Sequence, residues 1–407
     1  MADASDQAGG QEMAMTPRPI VLMGFAQAFA AIEAAWSLQK ADMRVVAFAR
    51  RGTRSALSRV RGVEIHEITP PEVSIEQCLD DLRALVAQVE PDAVLPLDDA
   101  SLWLTSCIDF ERAVVVGPTP DSAAVALNKH AQIQAAEAAG LRVPPTRLVG
   151  SATELTSLVW PVVVKPADAV RADGDRLTRP RGAIVADPSE LSEACSGLGD
   201  GPLLVQPYLH GVGEGVFGYV NEDGVASLSA HRRVRMVNPH GSASSACMSI
   251  DVAPELEDAV RRLIADLDWR GMFMVELLRD DDGVPWFMEL NGRAWGSLAL
   301  ARHRGFEYPA WATQFALGLP QTPAPPTAPA PVVARHLGRE IAHLLFVLRG
   351  PQSQAMTEWP SRWGTLRNLT RISRRDRLYN WNSRRPSVLA SDTIGTLSEL
   401  VAGRKKR

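Results

Sequence analysis

The spacing of apolar residues changes several times along the chain, and each change predicts an element. Pro19–Met23 is a short apolar run closed by Gly24, followed by an Ala-rich helical stretch to about Lys40 and a second apolar run from Asp42 to Ala49. This strand–helix–strand opening predicts a Rossmann-like, doubly wound unit. A helix over Ile75–Val89 leads into the strand Ala93–Leu97, which ends at Asp98-Asp99. Residues at the carboxyl end of a parallel strand face the ligand crevice, so Asp98 and Asp99 are weak substrate-side candidates; a helix N-cap is an equally good reading. Gly24-Phe25-Ala26-Gln27-Ala28 lacks the full GxGxxG, so a dinucleotide is not indicated.

Farther on, Asn128-Lys129-His130 opens an Ala-rich helix to Gly140, and a strand and a helix from about Ser151 follow Val143–Thr146. Val162–Pro166 reads as a buried strand with Lys165 at its end, and a loop rich in Arg, Asp and Gly runs from Arg171 to Gly182. Strands over Ala183–Val185, Leu203–Tyr208 and Gly211–Val220, a helix from Pro188 and a turn at Asn221–Gly224 make this half α+β. A proline-rich stretch at 321–331 reads as a stiff linker. Helical patterning resumes over Arg335–Leu348, with Trp359, Trp363 and Trp381 as core or pocket residues.

The most informative segment is Gly271–Arg293, where two alternating apolar runs flank Asp282-Gly283, a strong hairpin signal. With a two-residue loop Asp281 pairs with Val284, Glu276 stands opposite Glu289, and Asn291 follows on the same face. Val275, Leu277, Met288 and Leu290 take the other face. Like charges opposite one another repel, and a hard divalent cation between them, with the Asn carbonyl as a third oxygen, would convert the repulsion into binding. A solvated hairpin with an acidic wet face is the alternative. Arg293 falls on the opposite face by parity unless the chain bends at Gly292, and we take the bend.

Charge alters the picture at one end only. Val332–Arg407 carries 15 Lys/Arg against 5 Asp/Glu, about +10, in a chain of net −4, which leaves the preceding residues near −14. No nucleic-acid module accompanies this basic tail, so packing onto the acidic body or completing a pocket for anions is favoured over nucleic acid. The four cysteines are far apart, without metal-ligand spacing. No apolar run is long enough to span a bilayer, and the polar, acidic beginning lacks a signal-peptide pattern, so a cytoplasmic location is expected.

Met288-Glu289-Leu290-Asn291-Gly292-Arg293 matches an E-x-N-x-R motif, and with the Glu276 strand before it and Ala294–Ala301 after it the chain resembles the ATP-grasp superfamily, especially its carboxylate–amine ligases and carbamoyl-phosphate synthetase-like members. The resemblance spans roughly Pro19–Leu319. It implies a pre-ATP-grasp α/β domain at 18–125 and a two-subdomain ATP-grasp fold at 126–320; the small, polar and acidic stretch at 1–17 reads as a disordered lead, and the linker at 321–331 and the basic C-terminal segment at 332–407 lie outside the resemblance. It further implies ATP and Mg2+ (with Mn2+ as a substitute), held by Glu276, Glu289 and Asn291. Lys129 and Lys165 match lysines at the phosphates and purine side, Gln206, Pro207 and Tyr208 the hinge that reads adenine, and Glu214 the acid that binds ribose. Arg171–Gly182 corresponds to the mobile flap, richer here in arginine than glycine. The strand His231–Arg235 resembles a basic strand of the subgroup. Alternation puts Arg233 and Arg235 on one face, facing the γ-phosphate or acyl phosphate; Met236 and His240-Gly241 depart from the subgroup's pattern. Arg293 would stabilise the transferring phosphoryl group and Ser297 orient the carboxylate. The implied activity is a ligase that activates a carboxylate as an acyl phosphate for attack by an amine, releasing ADP and phosphate, on small-molecule substrates and in an assembly compatible with a homodimer. Bicarbonate-based carboxylation or carbamoyl-phosphate chemistry, and a nucleotide-binding regulatory module without turnover, are the alternatives.

Overall fold

The computed structural model describes residues 18–405 except 151–153, 156–157, 197, 199–200, 240–242 and 352–358. The N-terminal lead, the start of the helix expected from Ser151, and His240-Gly241 lie outside these residues. The chain opens with β1 (Ile20–Gly24), α1 (Ala31–Lys40), β2 (Arg44–Arg50), β3 (Val63–Ile68), α2 (Ile75–Val89), β4 (Ala93–Pro96), α3 (Asp99–Ser106) and β5 (Val114–Val115). These strands form one sheet of order β3-β2-β1-β4-β5, parallel at every pairing. Parallel strands are covered on both faces, hence the continuous apolar runs rather than alternation. Strand order reverses between β1 and β4, which opens a crevice at their carboxyl ends.

Helices α4 (Pro120–Leu127) and α5 (Lys129–Ala138) lead to β6 (Arg147–Val149), β7 (Val162–Pro166), β8 (Arg171–Asp173), β9 (Arg176–Thr178), β10 (Ala183–Val185), α6 (Leu191–Ser196) and β11 (Leu203–Pro207). Four of these strands form a small antiparallel sheet, β10-β7-β11-β6, around Val149, Val162, Val164, Val185, Leu203 and Val205. The expected loop at Arg171–Gly182 is instead mostly the β8–β9 hairpin. Its local Arg-Leu-Thr and Arg-Ala-Asp runs pair across Gly174, whose φ of +54° turns the chain. The hairpin is docked: Leu177 is buried in the core of the first sheet, and Asp175 accepts from the amides of Ile75 and Glu76 at the start of α2.

The third sheet is built from β12 (Val212–Asn221), β13 (Gly224–Met236), β14 (Ser244–Ile250), β15 (Met272–Arg279) and β16 (Pro285–Asn291), with α7 (Pro254–Asp266) between β14 and β15. After α8 (Leu298–His303) and α9 (Tyr308–Ala316), β17 (Val333–Arg335), α10 (Leu337–Arg349), α11 (Arg362–Thr370), β18 (Asp376–Leu378) and α12 (Pro386–Lys405) complete the chain. The sheet runs β16-β15-β12-β13-β14-β17-β18, so the basic C-terminal segment supplies its last two strands. The proline-rich stretch is tied down where Trp311 Nε1 donates to the Pro323 carbonyl at 2.7 Å. Of the three tryptophans after it, Trp359 bonds the Val347 carbonyl, whereas Trp363 and Trp381 are exposed.

The β15–β16 hairpin corrects one expectation and keeps its consequence. The strands end at Arg279 opposite Pro285, so the loop is Asp280–Val284 rather than two residues, closed by Gly283 N–H to the Asp280 carbonyl at 3.1 Å. A bulge at Met288 then adds one residue to β16, restores Glu276 opposite Glu289, and leaves Met288 only half-buried.

One close approach fixes the first sheet against the third. Gly271 has φ +73°, and a Cβ there would lie 2.8 Å from Gly117 Cα. Gly271→Ala should therefore lower stability by about 2 kcal/mol or more, read as a shift in urea midpoint. Gly283→Ala, at φ +81° with open space around it, should cost only the left-handed strain of about 1 kcal/mol.

Candidate nucleotide and carboxylate site

The face of the third sheet that carries Glu276 is set by register. Glu276 pairs with Gly215 on β12 and Glu289 on β16, and Gly215 pairs with His231 on β13. Cross-strand partners share a face, so Glu276, Glu289, Asn291, His231 and Arg233 project to one side. The other side packs Val216, Ala230, Phe273, Val275, Leu277, Phe287 and Leu290 against α5 and α7. Gln132 of α5 locks β16 in place, exchanging hydrogen bonds with the backbone of Leu290 at 2.8 and 3.2 Å.

Cations surround the two carboxylates. Arg233 forms an ion pair with Glu276, and that carboxylate raises the arginine's pKa further. Burial pushes the Glu289 carboxyl above its usual range, with the nearby Asp99 charge adding to the effect and Lys129 opposing it. Lys165, on β7 of the small sheet, is drawn down to about 8 by burial, against the attraction of Glu289 and Glu276 and with the repulsion of Lys129. Lys129 at the start of α5, Lys165, Glu276, Glu289, Asp99 and Arg293 thus share one electrostatic neighbourhood between the two antiparallel sheets and the crevice of the first.

The chain bends at Gly292 as expected, and Arg293 turns toward the first sheet. Its Nε donates to Asp99 at 2.8 Å and Nη2 to the second Asp99 oxygen at 3.4 Å. Arg179, just after the β8–β9 hairpin, meets Asp99 at 2.6 Å. Burial alone would raise the Asp99 carboxyl, but Arg293 and Arg179 hold it below the usual range. Burial disfavours the Arg293 cation, yet Asp99 outweighs it and its pKa rises. Asp98, by contrast, caps α3: its carboxylate accepts from Ser101 N–H at 2.8 Å in a capping box.

Three expected roles meet a different geometry. Arg235 does not share the face of Arg233, because a bulge at Val234 sets Arg233 opposite Cys247 but Arg235 opposite Ala246. One extra residue in a strand reverses the alternation, and Arg235 pairs instead with Glu340 of α10. Glu214 sits opposite Arg232 and Leu277, on the sheet face away from Glu276. It is buried and clasped by Arg232 at 2.7 Å and Arg279 at 2.8 Å, one arginine on each carboxylate oxygen. Ser297 is buried and bonds His231 Nδ1 at 2.6 Å, so it fastens α8 to β13 rather than opening onto the cleft. The Gln206 side chain is likewise engaged, by Thr146 at 2.8 Å. β6 pairs only with Leu203–Val205, so among the described residues no strand covers that edge of β11 at Gln206 and Pro207. Tyr208 N–H is taken by the Pro161 carbonyl at 3.0 Å.

Sequence reasoning passed over the Arg179–Asp99–Arg293 cluster, although the arginine-rich flap and Asp99 were each visible separately. It also gave His231 no role. That imidazole is fully buried, held down to about 3 by burial and by the Arg233 charge, and its Nε2 finds no partner among the described residues.

The donor set suits a hard cation. Among the described residues no three His, Cys, Asp or Glu side chains cluster as metal ligands. A cation at Glu276, Glu289 and Asn291 would therefore take two carboxylates and one amide oxygen, and complete its shell with water or phosphate oxygens, the habit of Mg2+. Glu289, a carboxylate lifted by burial, is the group such a charge would relieve.

A doubly wound sheet followed by a small antiparallel sheet and a larger sheet antiparallel at all but its last pairing, with paired acids on the larger and a buried lysine on the smaller, is the ATP-grasp fold. Residues 200–339 match the family model described as ATP-grasp in the biosynthetic pathway with Ter operon. Formate-dependent phosphoribosylglycinamide formyltransferase of Bifidobacterium adolescentis is 30% identical over 119 residues, 28% of this chain and 30% of that protein, so the match spans under a third of the curated relative. The crystal structure of L-amino acid ligase from Bacillus licheniformis superimposes with a TM-score of 0.57 at 17% identity, over 74% of each chain. The ADP complex of N5-carboxyaminoimidazole ribonucleotide synthetase gives 0.60 at 15% identity, over 86% of this chain and 96% of that one. At these identities the structural likeness establishes the fold.

The low pKa of Lys165 makes a signed prediction. The folded state binds this proton more weakly than the unfolded chain, whose lysine titrates near 10.5. The penalty for burying the cation is thus present below pH 8 and is relieved as pH rises from about 8 toward 10.5. Relative to Lys165→Met, the wild-type chain should gain stability over that interval; parallel urea curves at pH 7.5 and 9.5 would show no difference if the lysine were solvated.

Proposed function

We propose that this protein is an ATP- and Mg2+-dependent ligase that joins a carboxylate to an amine through an acyl phosphate. The observation that carries the reading is the Glu276/Glu289/Asn291 face set opposite Lys165 and Lys129, with Arg233 and Arg293 at its margins. A carboxylate is a poor electrophile, because its charge is delocalised and hydroxide would be the leaving group. Attack of a carboxylate oxygen on the γ-phosphorus breaks the bond to ADP and gives an acyl phosphate. The amine nitrogen then attacks the carbonyl carbon and loses a proton, and phosphate leaves, giving an amide. Phosphoryl transfer asks little covalent chemistry of a protein; positioning and charge compensation supply most of the acceleration.

In this reading the uncovered backbone edge at Gln206–Pro207 receives the adenine, and Lys129 and Lys165 hold the phosphates. Glu276, Glu289 and Asn291 would hold Mg2+, which would supply positive charge against the nucleotide phosphates. Arg233, next to Glu276, and Arg293, anchored on Asp99, face the transferring group. The β8–β9 hairpin covers the intermediate against water, with Arg179 tying its exit to Asp99. The likeness to N5-carboxyaminoimidazole ribonucleotide synthetase over 96% of that chain supports a second reading on the same machinery, with bicarbonate as the carboxylate. A regulatory module without turnover fits poorly with an intact acid pair.

The test is product analysis with ATP, Mg2+, pools of amino acids and carboxylates, and bicarbonate. Substrate-dependent ADP and phosphate are expected, reduced by about 100-fold or more in Glu289→Gln. AMP and pyrophosphate would mean adenylation and contradict the acyl phosphate. ADP formation that requires bicarbonate would select the second reading.

A further inference from the structure

The C-terminal segment adds a cation to the same sheet face. β17 pairs with β14, placing Ala334 opposite Cys247, which in turn stands opposite Arg233. Arg339, in the first turn of α10, reaches back over this row. Its Nη1 donates to the Ser244 carbonyl at 3.1 Å, and its guanidinium lies 3.4 Å from the centre of the Phe29 ring. Phe29 belongs to the loop after β1 and borders Gly296, an exposed residue just past Arg293. His336 and Tyr379 pack on the other sides of Phe29, at 4.8 and 5.8 Å between ring centres. N-terminal loop, ATP-grasp sheet and C-terminal helix therefore meet around one guanidinium.

That guanidinium differs from its neighbours. Glu340 takes Arg235 and Arg335, Asp99 takes Arg293 and Arg179, and Glu276 takes Arg233. Among the described residues no carboxylate forms an ion pair with Arg339; Asp392, Glu399, Tyr379 and Cys247 act on it only through longer-range attraction. Burial draws it down to about 10 despite them. A partly buried guanidinium stacked on an aromatic ring, with donors left over, is pre-organised for a planar anion and not for a metal or an amine.

We infer that Arg339 binds a carboxylate of the amine substrate that the reaction does not consume, so that the acceptor is an amino acid. The acceptor's amine would point along the sheet toward Glu276 and Arg293, with its carboxylate against Arg339 and its side chain toward Phe29 and Gly296. The acceptor role rests on the ligase reading; the anion site does not. Arg339 is then a specificity-determining residue supplied by the basic C-terminal segment, from the first turn of α10.

Calorimetry with Mg·ADP present, using the twenty amino acids and the corresponding amides, tests the site without turnover. At least one free acid should bind wild-type protein about 10- to 100-fold more tightly than its amide. Arg339→Gln should erase that preference while leaving ADP affinity unchanged, and Arg339→Lys should restore it in part. An acid and amide bound equally, a preference that survives Arg339→Gln, or no acid bound at all would overturn the inference. Inorganic phosphate competing as well as the amino acid would replace a carboxylate pocket by a general anion site and also overturn it. Acid-selective binding without ADP release in the turnover assay would keep Arg339 and remove the ligase reading.

Discussion

Glu276 and Glu289 stand opposite one another on neighbouring strands, and the rest of the cleft is organised around that repulsion. Two carboxylates at cross-strand distance destabilise a hairpin unless positive charge is brought to them. Here it arrives from three directions: Arg233 from the next strand but one, Lys165 from the facing sheet, and Lys129 from the start of α5. The last two lysines repel each other in turn, and burial weakens the Lys165 proton. Burial thus lifts the Glu289 carboxyl and lowers the Lys165 ammonium within one cluster, the kind of perturbed pair that gathers at functional sites.

The same logic explains the outer ring. Arg293 is fixed by Asp99 before any ligand arrives, and Asp99 is fixed by the first sheet, whose switch point places it there. Arg179 adds the hairpin to this anchor. Three layers of the molecule therefore converge on one buried aspartate, and the close approach of Gly271 to Gly117 keeps the first and third sheets in register with each other.

Much of this was legible in the sequence where period and turn chemistry acted alone. The strand–helix alternation at the beginning, the Asp-Gly hairpin, the Glu276–Glu289 pairing and the bend at Gly292 all follow from local rules. Two of the failures share one cause, the β-bulge, which has no reliable sequence signal. At Met288 it changed the loop length without moving the acids; at Val234 it sent Arg235 to Glu340, behind the sheet. Glu214 and Ser297 were misread for another reason. A motif position identifies a residue type, but Arg232, Arg279 and His231, which occupy these side chains, come from neighbouring strands whose register the sequence leaves open. The basic tail was read as an addition to an acidic body, and β17 and β18 instead make it part of the central sheet, since a strand edge left by β14 requires pairing.

The account depends on the acid pair being a cation site that works with a nucleotide. Electron paramagnetic resonance of Mn2+, titrated with and without a non-hydrolysable ATP analogue, tests this directly. Mn2+ should bind weakly alone and much more tightly with the analogue, and both Glu276→Gln and Glu289→Gln should abolish the gain. Nucleotide binding that is equally tight without a divalent ion, and unchanged in both variants, would contradict it.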